Sequence, residues 1–358
     1  MIEIQVHAPS TNASLASEAL EQNLGFGRIF ADKMFQMKYT KDRGWHDASI
    51  VPFGNLQLSP AAMVFHYGPE IFEGHKAYRW EDGRIALFRP EMNARRLNDS
   101  TYRMSMPQIP EEVQLDATMM LVKQLEAWVP KQHDASLYIR PTMIATEASL
   151  GVRPANEYLY FIICSPVGPY YPTGFAPVKV RAEDRFIRAV PGGTGAAKTG
   201  GNYAGGLFAQ AQAKAEGYLG VLWLDAINRR DVEEIGAMNF MFVIDGKLVT
   251  SELKGSILAG VTRDSILAMA PNLGLEAVER PTSIDEILEG LQSGRVTEAF
   301  GVGTAAVITP IGYIGYKGVD HKVTGDQVGP VASLIYKTLT DIQWGRIPDT
   351  YGWMRVLS

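Results

Sequence analysis

The stretch GGTGAAKTGGNYA, Gly192–Ala204, sets five glycines in thirteen residues around a single charged side chain, Lys198. Glycine loses more backbone entropy on folding than any other residue, so such a cluster marks a special turn or a close approach of the chain to a ligand. An amine placed there has two uses: it grips a phosphate, or it is itself the nucleophile. The first use has a pattern, G-x-x-x-x-G-K-[ST]. The stretch almost spells it from Gly192, with Ala197 in place of the second glycine and a strand-like VLWLD ending at Asp225 downstream. A phosphate-loop lysine, however, opens a helix directly, and Gly200-Gly201 would spoil that first turn. The preceding RFIRAVPG is also too polar for a buried parallel strand. The nucleophile reading is the stronger.

Around this loop the sequence reads as two α+β domains. Phe65–Pro90 alternates like strands, with a hairpin turn at Glu81-Asp82-Gly83. Helices are expected from Pro90 through EMNARRLNDSTYRM and from Pro110 through EEVQLDATMMLVKQLEAWV, stopping at Pro130. ASLYIRPTMIAT and YLYFIIC read as strands. A run rich in proline and glycine, VGPYYPTGFAPV, then separates an N-terminal domain (1–170) from a C-terminal one (180–358), with the linker at 171–179. Beyond it VKVRAE and FIRAV read as strands, and a helix is expected from Asn202, as N-cap, through LFAQAQAKAE. Three strands are expected within 220–251, with turns at 227–229 and at Asp245-Gly246. The tail adds helices at TRDSILAMA and SIDEILEGLQSG and the strand AAVITPIGYIG.

Two further glycine motifs suit an anion. GVGTAA, Gly301–Ala306, mimics a dinucleotide fingerprint, but a proline-broken strand follows where a helix belongs. It is better read as a tight turn whose amides and Thr304 hydroxyl meet an anion. In GVTRDSIL, Thr262 is positioned to cap a helix, and the Val261 and Thr262 amides lie at the positive end of its dipole.

Bulk properties narrow the class. The chain has 358 residues, 46% hydrophobic and 20% charged, and a net charge of -5. That charge argues against binding nucleic acid. MIEIQVHAPSTN lacks the basic start and apolar run of a signal peptide, and no apolar run reaches about 18 residues, so a cytoplasmic protein off the membrane is expected. The lone cysteine, Cys164, sits in an apolar strand-like run and reads as a core residue. No zinc spacing or serine-hydrolase signature occurs, so no metal is expected.

A nucleophilic lysine beside anion sites suits pyridoxal 5'-phosphate (PLP), which needs an amine, a phosphate cup, an acid at its pyridine nitrogen and a donor to its ring hydroxyl. FHYGPEIFEGHKAYR, LFRPEMNARRL, SLYIRPTMIATEASLGV, CSPVGPYY, GGTGAAKTGGNYA, EEIGAMNF, LAGVTRDSIL and FGVGTAAVI follow one another over nearly the whole chain. In them the sequence resembles the branched-chain amino acid aminotransferases, fold type IV PLP enzymes related to D-amino acid aminotransferase.

The resemblance implies a two-domain α+β fold with mixed sheets, a barrel-like domain and flanking helices. It implies that Lys198 forms the Schiff base, Tyr203 bonds the ring hydroxyl and Glu234 faces the pyridine nitrogen. Arg96, the Val261 and Thr262 amides and Thr304 would hold the phosphate. Tyr67 and the Ala305 and Ala306 amides would take the substrate carboxylate. Phe30, Tyr138, Arg140, Val152 and Tyr170 would line the side-chain pocket, Val152 reaching the partner's site in a homodimer.

The implied reaction is ping-pong exchange of an amino group between leucine, isoleucine or valine and 2-oxoglutarate, giving glutamate. A D-amino acid aminotransferase or an aminodeoxychorismate lyase of the same fold would keep the lysine and the glutamate with a different pocket. The sequence departs from the mammalian enzymes at Ala237, where they carry a threonine, and at Ala306 and Thr309, where they carry a C-x-x-C pair. That second departure removes any redox switch of that kind.

Overall fold

The structure, a computed structural model, describes residues 2–132, 134–169 and 174–357. Tyr170 and residues 171–173 of the expected linker lie outside the described residues. The chain divides into two units: Met1–Pro172 with Ala197–Gly200 and Asp341–Ser358, and Thr173–Ala196 with Gly201–Thr340. The lysine segment therefore belongs with the first unit, although the chain on either side of it belongs to the second.

The first unit is built on a nine-stranded sheet. Its strands are β1 (Gln5–Val6), β2 (Lys33–Thr40), β3 (Gly44–Pro52), β4 (Glu70–Phe72), β5 (His75–Arg79), β6 (Ile85–Phe88), β7 (Ser136–Ala145) and β8 (Glu157–Val167), with Met354–Val356 at one edge. The order is β1-β3-β2-β8-β7-β5-β6 and then the C-terminal strand, and β4 also pairs with β7. Every pairing is antiparallel except β1 with β3.

Strands β7 and β8 run through the middle, and their apolar residues, with Phe35, Met37 and Trp128, form the core. Cys164 is buried in it, and burial pushes its thiol pKa up. The turn at Glu81-Asp82-Gly83 joins β5 to β6 as expected, Gly83 taking a φ of 89°.

Helix α1 (Ala13–Leu20) starts on Asn12, whose side chain accepts from the Ser14 and Leu15 amides. Helix α2 (Met63–Tyr67) includes Phe65–Tyr67, the start of the run expected to be extended. Helix α3 (Pro90–Arg103) matches expectation, with Pro90 in its first turn, whereas α4 (Glu111–Gln124) starts as expected but ends short of Pro130, a 3-10 turn at Glu126–Trp128 taking its place. Asn93, Arg96 and Ser100 recur at i, i+3 and i+7, which puts them on one face of α3, and all three are buried.

Pro141 lies inside β7, where a proline removes a ladder donor. The registers explain why it is tolerated. Phe72 of β4 faces Thr142 and His75 of β5 faces Ile139, so Glu73 and Gly74 cross the gap opposite the proline. Pro141 still accepts from the Glu73 amide at 2.8 Å. The Glu73 side chain at this interruption is buried.

The second unit carries its own nine-stranded mixed sheet, from β9 (Val178–Glu183), β10 (Gly220–Leu224), β11 (Val232–Ile235), β12 (Asn239–Ile244), β13 (Lys247–Thr250), β14 (Ala277–Glu279), β15 (Val296–Gly303), β16 (Val307–Tyr316) and β17 (Val319–Lys322). The order is β11-β10-β9-β16-β15-β12-β13-β14, with β17 on β16. Pairs β9–β10, β9–β16 and β13–β14 are parallel and the rest antiparallel.

Residues 220–251 form four strands where three were expected, because Gly236 breaks the long apolar run between β11 and β12 with a φ of 58°. The β12–β13 hairpin turns on Asp245 and Gly246, both at positive φ, as a two-residue turn of this hand requires. FIRAV is irregular where a strand was expected.

The helix expected from Asn202 is two pieces, α5 (Gly200–Ala204) and α6 (Leu207–Ala215). Asn202 sits inside α5 and does not cap it. Its side chain exchanges bonds with Thr194, accepting from Oγ1 and donating to the carbonyl, both at 2.7 Å. Helices α7 (Val261–Met269), α8 (Ile284–Ser293) and α9 (Pro330–Gln343) complete the unit. Ser283 caps the start of α8, the Glu286 amide donating to its Oγ at 3.1 Å, half of a capping box.

Candidate functional site

In the first unit the backbone around Lys198 is pinned from two sides. Its N–H donates to Ser100 Oγ on α3 at 2.9 Å, and its carbonyl accepts from the Phe72 amide of β4 at 2.9 Å. Thr199 Oγ1 donates to the Glu70 carbonyl at 2.7 Å, and the Gly200 N–H donates to Glu70 Oε2 at 2.8 Å. The lysine segment thus lies along the free edge of β4. Lys198 Nζ lies 4.6 Å from the centroid of the Phe72 ring, and Arg140 Cζ lies 4.7 Å from the same centroid, both within cation–π range. Arg140 Nη2 also donates to Tyr138 Oη at 3.0 Å.

Beneath these groups lies a buried ion pair. Arg96 donates from Nε to Glu73 Oε1 at 2.7 Å and from Nη2 to Oε2 at 2.9 Å, the fork matching the carboxylate. Asn93 Nδ2 adds a bond of 2.9 Å and the Gly74 amide one of 3.1 Å. Burial pushes the Glu73 pKa up, but Arg96, Lys198 and these bonds outweigh it and hold the carboxyl below its usual range. Glu70 goes the other way: burial raises its pKa against the Gly200 amide, Arg140 and Lys198. Gly74 has a steric reason, since a Cβ there would lie 2.0 Å from Tyr138 Oη. Lys198, Arg96, Tyr138 and Arg140 are therefore gathered within this unit. Arg95, next to Arg96, is instead a surface residue facing Glu111 at 3.3 Å.

Tyr67 and Phe30 are partly exposed, Tyr67 donating to the Leu150 carbonyl at 2.5 Å and Phe30 stacking on Phe53 at 5.3 Å. Val152, 83% exposed, projects from the following loop. Tyr170 lies outside the described residues.

In the second unit Glu234 is buried on β11. Its Oε1 accepts from the Leu258 amide at 2.9 Å, and its Oε2 lies 3.3 Å from Arg188 Nε. Arg188 Nη2 reaches the Ser256 carbonyl, and Ser256 Oγ donates to Glu233 at 2.5 Å. Burial raises the Glu233 pKa despite that bond and Arg188.

Helix α7 opens on Gly260, not on Thr262, and no side chain caps it, so its first amides present the positive helix end. Thr304, Ala305 and Ala306 form the turn between β15 and β16. Val307, which closes it, has a φ of 61°, a costly conformation for a β-branched residue and one that clusters at ligand sites. Tyr203 lies in α5, half-buried.

The first unit thus carries an amine on a pinned backbone and a buried guanidinium, and the second a buried carboxylate and an uncapped helix start, each a group of a kind that PLP requires. The amino-transferase class IV family model matches residues 70–314. The chain belongs to that family.

The branched-chain-amino-acid aminotransferase of Mycolicibacterium smegmatis is 48% identical over 355 residues, covering 98% of this chain and 96% of the relative. The probable branched-chain-amino-acid aminotransferase of Streptomyces coelicolor is 50% identical over 353 residues, covering 98% of each. The crystal structure of the T.th. branched-chain amino acid aminotransferase with pyridoxamine 5'-phosphate superposes with a TM-score of 0.74 at 26% identity, covering 90% of this chain and 98% of that one. The α+β class with mixed sheets is thus the class IV aminotransferase fold, type IV among PLP enzymes.

Sequence reasoning missed the supports around the class IV lysine. Ser100 shares its helix face with Arg96 four residues earlier, a spacing that was there to be read. Glu70 and Glu73 lay in a quoted motif with no role given to them. Arg188 was hidden in a segment read as a strand.

Proposed function

We propose that this class IV aminotransferase exchanges an amino group between leucine, isoleucine or valine and 2-oxoglutarate, with PLP held on Lys198. The observation that carries the reading is the pinned lysine beside Phe72, Tyr138 and Arg140 in a chain about half identical to branched-chain aminotransferases. When bound, the cofactor supplies an electron sink for the pair left behind when an amino acid Cα proton departs.

With the cofactor bound, Lys198 Nζ would be the group placed to take that proton and return it, as base and then acid. Fixing its backbone at Ser100 Oγ and the Phe72 amide leaves only the side chain to move. Glu234, its charge oriented by Leu258 and Arg188, would keep a proton on the pyridine nitrogen. Arg96, the α7 amides of Val261 and Thr262, and Thr304 would hold the phosphate. Tyr203 would donate to the ring hydroxyl.

The Ala305 and Ala306 amides and Tyr67 take the substrate carboxylate. Phe30, Tyr138 and Arg140 line the pocket, where one missing methylene is worth only about 1–3 kcal/mol, so all three branched substrates are used. The exposure of Val152 fits a loop that enters the site of a second copy in a homodimer. No described helix is long and apolar enough to cross a membrane, and a cytoplasmic enzyme is our reading.

The test is glutamate production from leucine and 2-oxoglutarate by the PLP-loaded protein. Turnover that disappears in Lys198→Ala supports the reading. Equal or faster turnover of D-alanine than of leucine would favour the D-amino acid alternative.

A further inference from the structure

We propose that Glu70 is a positioning residue for Lys198, acting as a hydrogen-bond acceptor that clamps the lysine segment to the edge of β4. The proposal rests on the reading that Lys198 carries the cofactor. Two bonds run from this segment to the one glutamate, from the Gly200 amide to Oε2 at 2.8 Å and from Thr199 Oγ1 to the main-chain carbonyl at 2.7 Å. A third, from the Phe72 amide to the Lys198 carbonyl at 2.9 Å, lies two residues further along the same strand. Together with the Lys198 N–H bond to Ser100 Oγ they tie down the backbone from Lys198 to Gly200.

The clamp also explains one glycine of the lysine loop. A Cβ on residue 200 would lie 2.6 Å from Glu70 Oε2 and 3.6 Å from Glu70 Cδ, and, its chain neighbours aside, no other side chain among the described residues would come within 4 Å of it. Gly200 carries no positive-φ requirement, so its glycine serves close approach to this carboxylate and not backbone conformation.

What Gly200 needs is an acceptor oxygen at that point. A glutamine supplies one and an alanine does not. Glu70 is half-buried and faces the cations of Arg140 on β7 and Lys198 on the loop. Neutralising it therefore perturbs their field, while truncating it also frees the loop. These effects separate in the two variants.

The experiment measures two quantities on the full-length protein: hydrogen exchange of the peptide spanning Lys198–Gly200 before PLP is added, and the rate at which the visible absorption of bound PLP then appears. Glu70→Ala is expected to speed exchange at Gly200 and slow PLP capture, each about tenfold, the worth of one charge-assisted hydrogen bond. Glu70→Gln is expected to stay within about twofold of wild type in both, since the acceptor is kept.

Gly200→Ala, whose Cβ displaces the carboxylate, should resemble Glu70→Ala and should cost less when the two are combined. If Glu70→Ala does not fold, Glu70→Gln and Gly200→Ala carry the test. Wild-type exchange and capture in Glu70→Ala, or equal losses in Glu70→Gln and Glu70→Ala, would overturn the clamp. Unchanged capture of PLP as a coloured adduct by Lys198→Ala would instead overturn the cofactor reading, and the exchange data would still judge Glu70.

Discussion

Replacing Glu73 by methionine should be among the most damaging single changes in the first unit. The pair it makes with Arg96 is almost wholly enclosed, the side chains being 1% and 9% exposed. Glu73→Met takes both fork acceptors from the Arg96 guanidinium and removes the acceptor of Asn93 Nδ2 and of the Gly74 amide. Breaking a buried pair from one side costs about 3–5 kcal/mol, because the remaining charge has lost its partner without regaining water. Arg96→Met should cost a similar amount by stranding the carboxylate.

The double variant removes both charges and fills the space, and such replacements are often close to neutral. It is therefore expected to be more stable than either single variant. Urea unfolding at pH 7, followed by circular dichroism and tryptophan fluorescence, measures all four proteins. The pH dependence has a definite sign. The Glu73 carboxyl is held below its usual range, so its contribution is full at neutral pH and fades as pH falls through its folded pKa. Glu73→Met should lack that acid-side loss. A single-variant cost under about 1 kcal/mol, the worth of a surface pair, or a double-variant cost equal to the sum of the singles, would refute the argument.

Three further outcomes follow from neighbouring residues. Both ring nitrogens of His75 are buried with no hydrogen-bond partner among the described residues, and burial, reinforced by Arg96 and opposed by Glu73, lowers its pKa from 6.5 to about 4. The neutral ring is the folded form. The protein should lose roughly 3 kcal/mol between pH 6.5 and pH 4 through this group, and His75→Leu should abolish that part of the decline in urea titrations at the two pH values. Cys164, buried and with its thiol pKa raised, should react with a disulfide reagent only after unfolding, scored as released chromophore with and without denaturant. Arg140→Met should slow the 2-oxoglutarate half-reaction about tenfold or more and spare the leucine half, by the worth of a charge-assisted bond to a carboxylate; equal losses in single-turnover measurements of both halves would remove that role.

Much of this molecule was legible in its residues, and what was not has physical causes. The helices from Pro90 and Pro110, the two hairpins with glycine in their turns and the central strands β7 and β8 follow from proline placement, turn chemistry and apolar runs. Helix α2 departs from the extended pattern of Phe65–Tyr67 because MVFHY is only five residues long and β-like in composition. It is set by tertiary bonds such as the Met63 amide to the Glu147 carbonyl at 3.0 Å. FIRAV looked like a strand because its apolar residues alternate with Arg188, yet that arginine leaves the sheet pattern to reach Glu234.

Helices α1 and α9 went unread, α1 in a polar leader and α9 behind a Gly-Pro start. The lysine, the acid and the phosphate groups stood out because their chemistry is rare in combination. The residues that hold them, Ser100, Glu70 and Glu73, are ordinary in type and become visible only through the bonds they make.

The measurement closest to the central claim is the visible spectrum of the PLP-loaded protein as leucine alone is added, followed by 2-oxoglutarate. The account predicts that leucine, with no second substrate present, abolishes the visible band and that 2-oxoglutarate restores it, with neither change in Lys198→Ala. A protein that PLP cannot colour, or a coloured one whose band leucine leaves untouched, would contradict it.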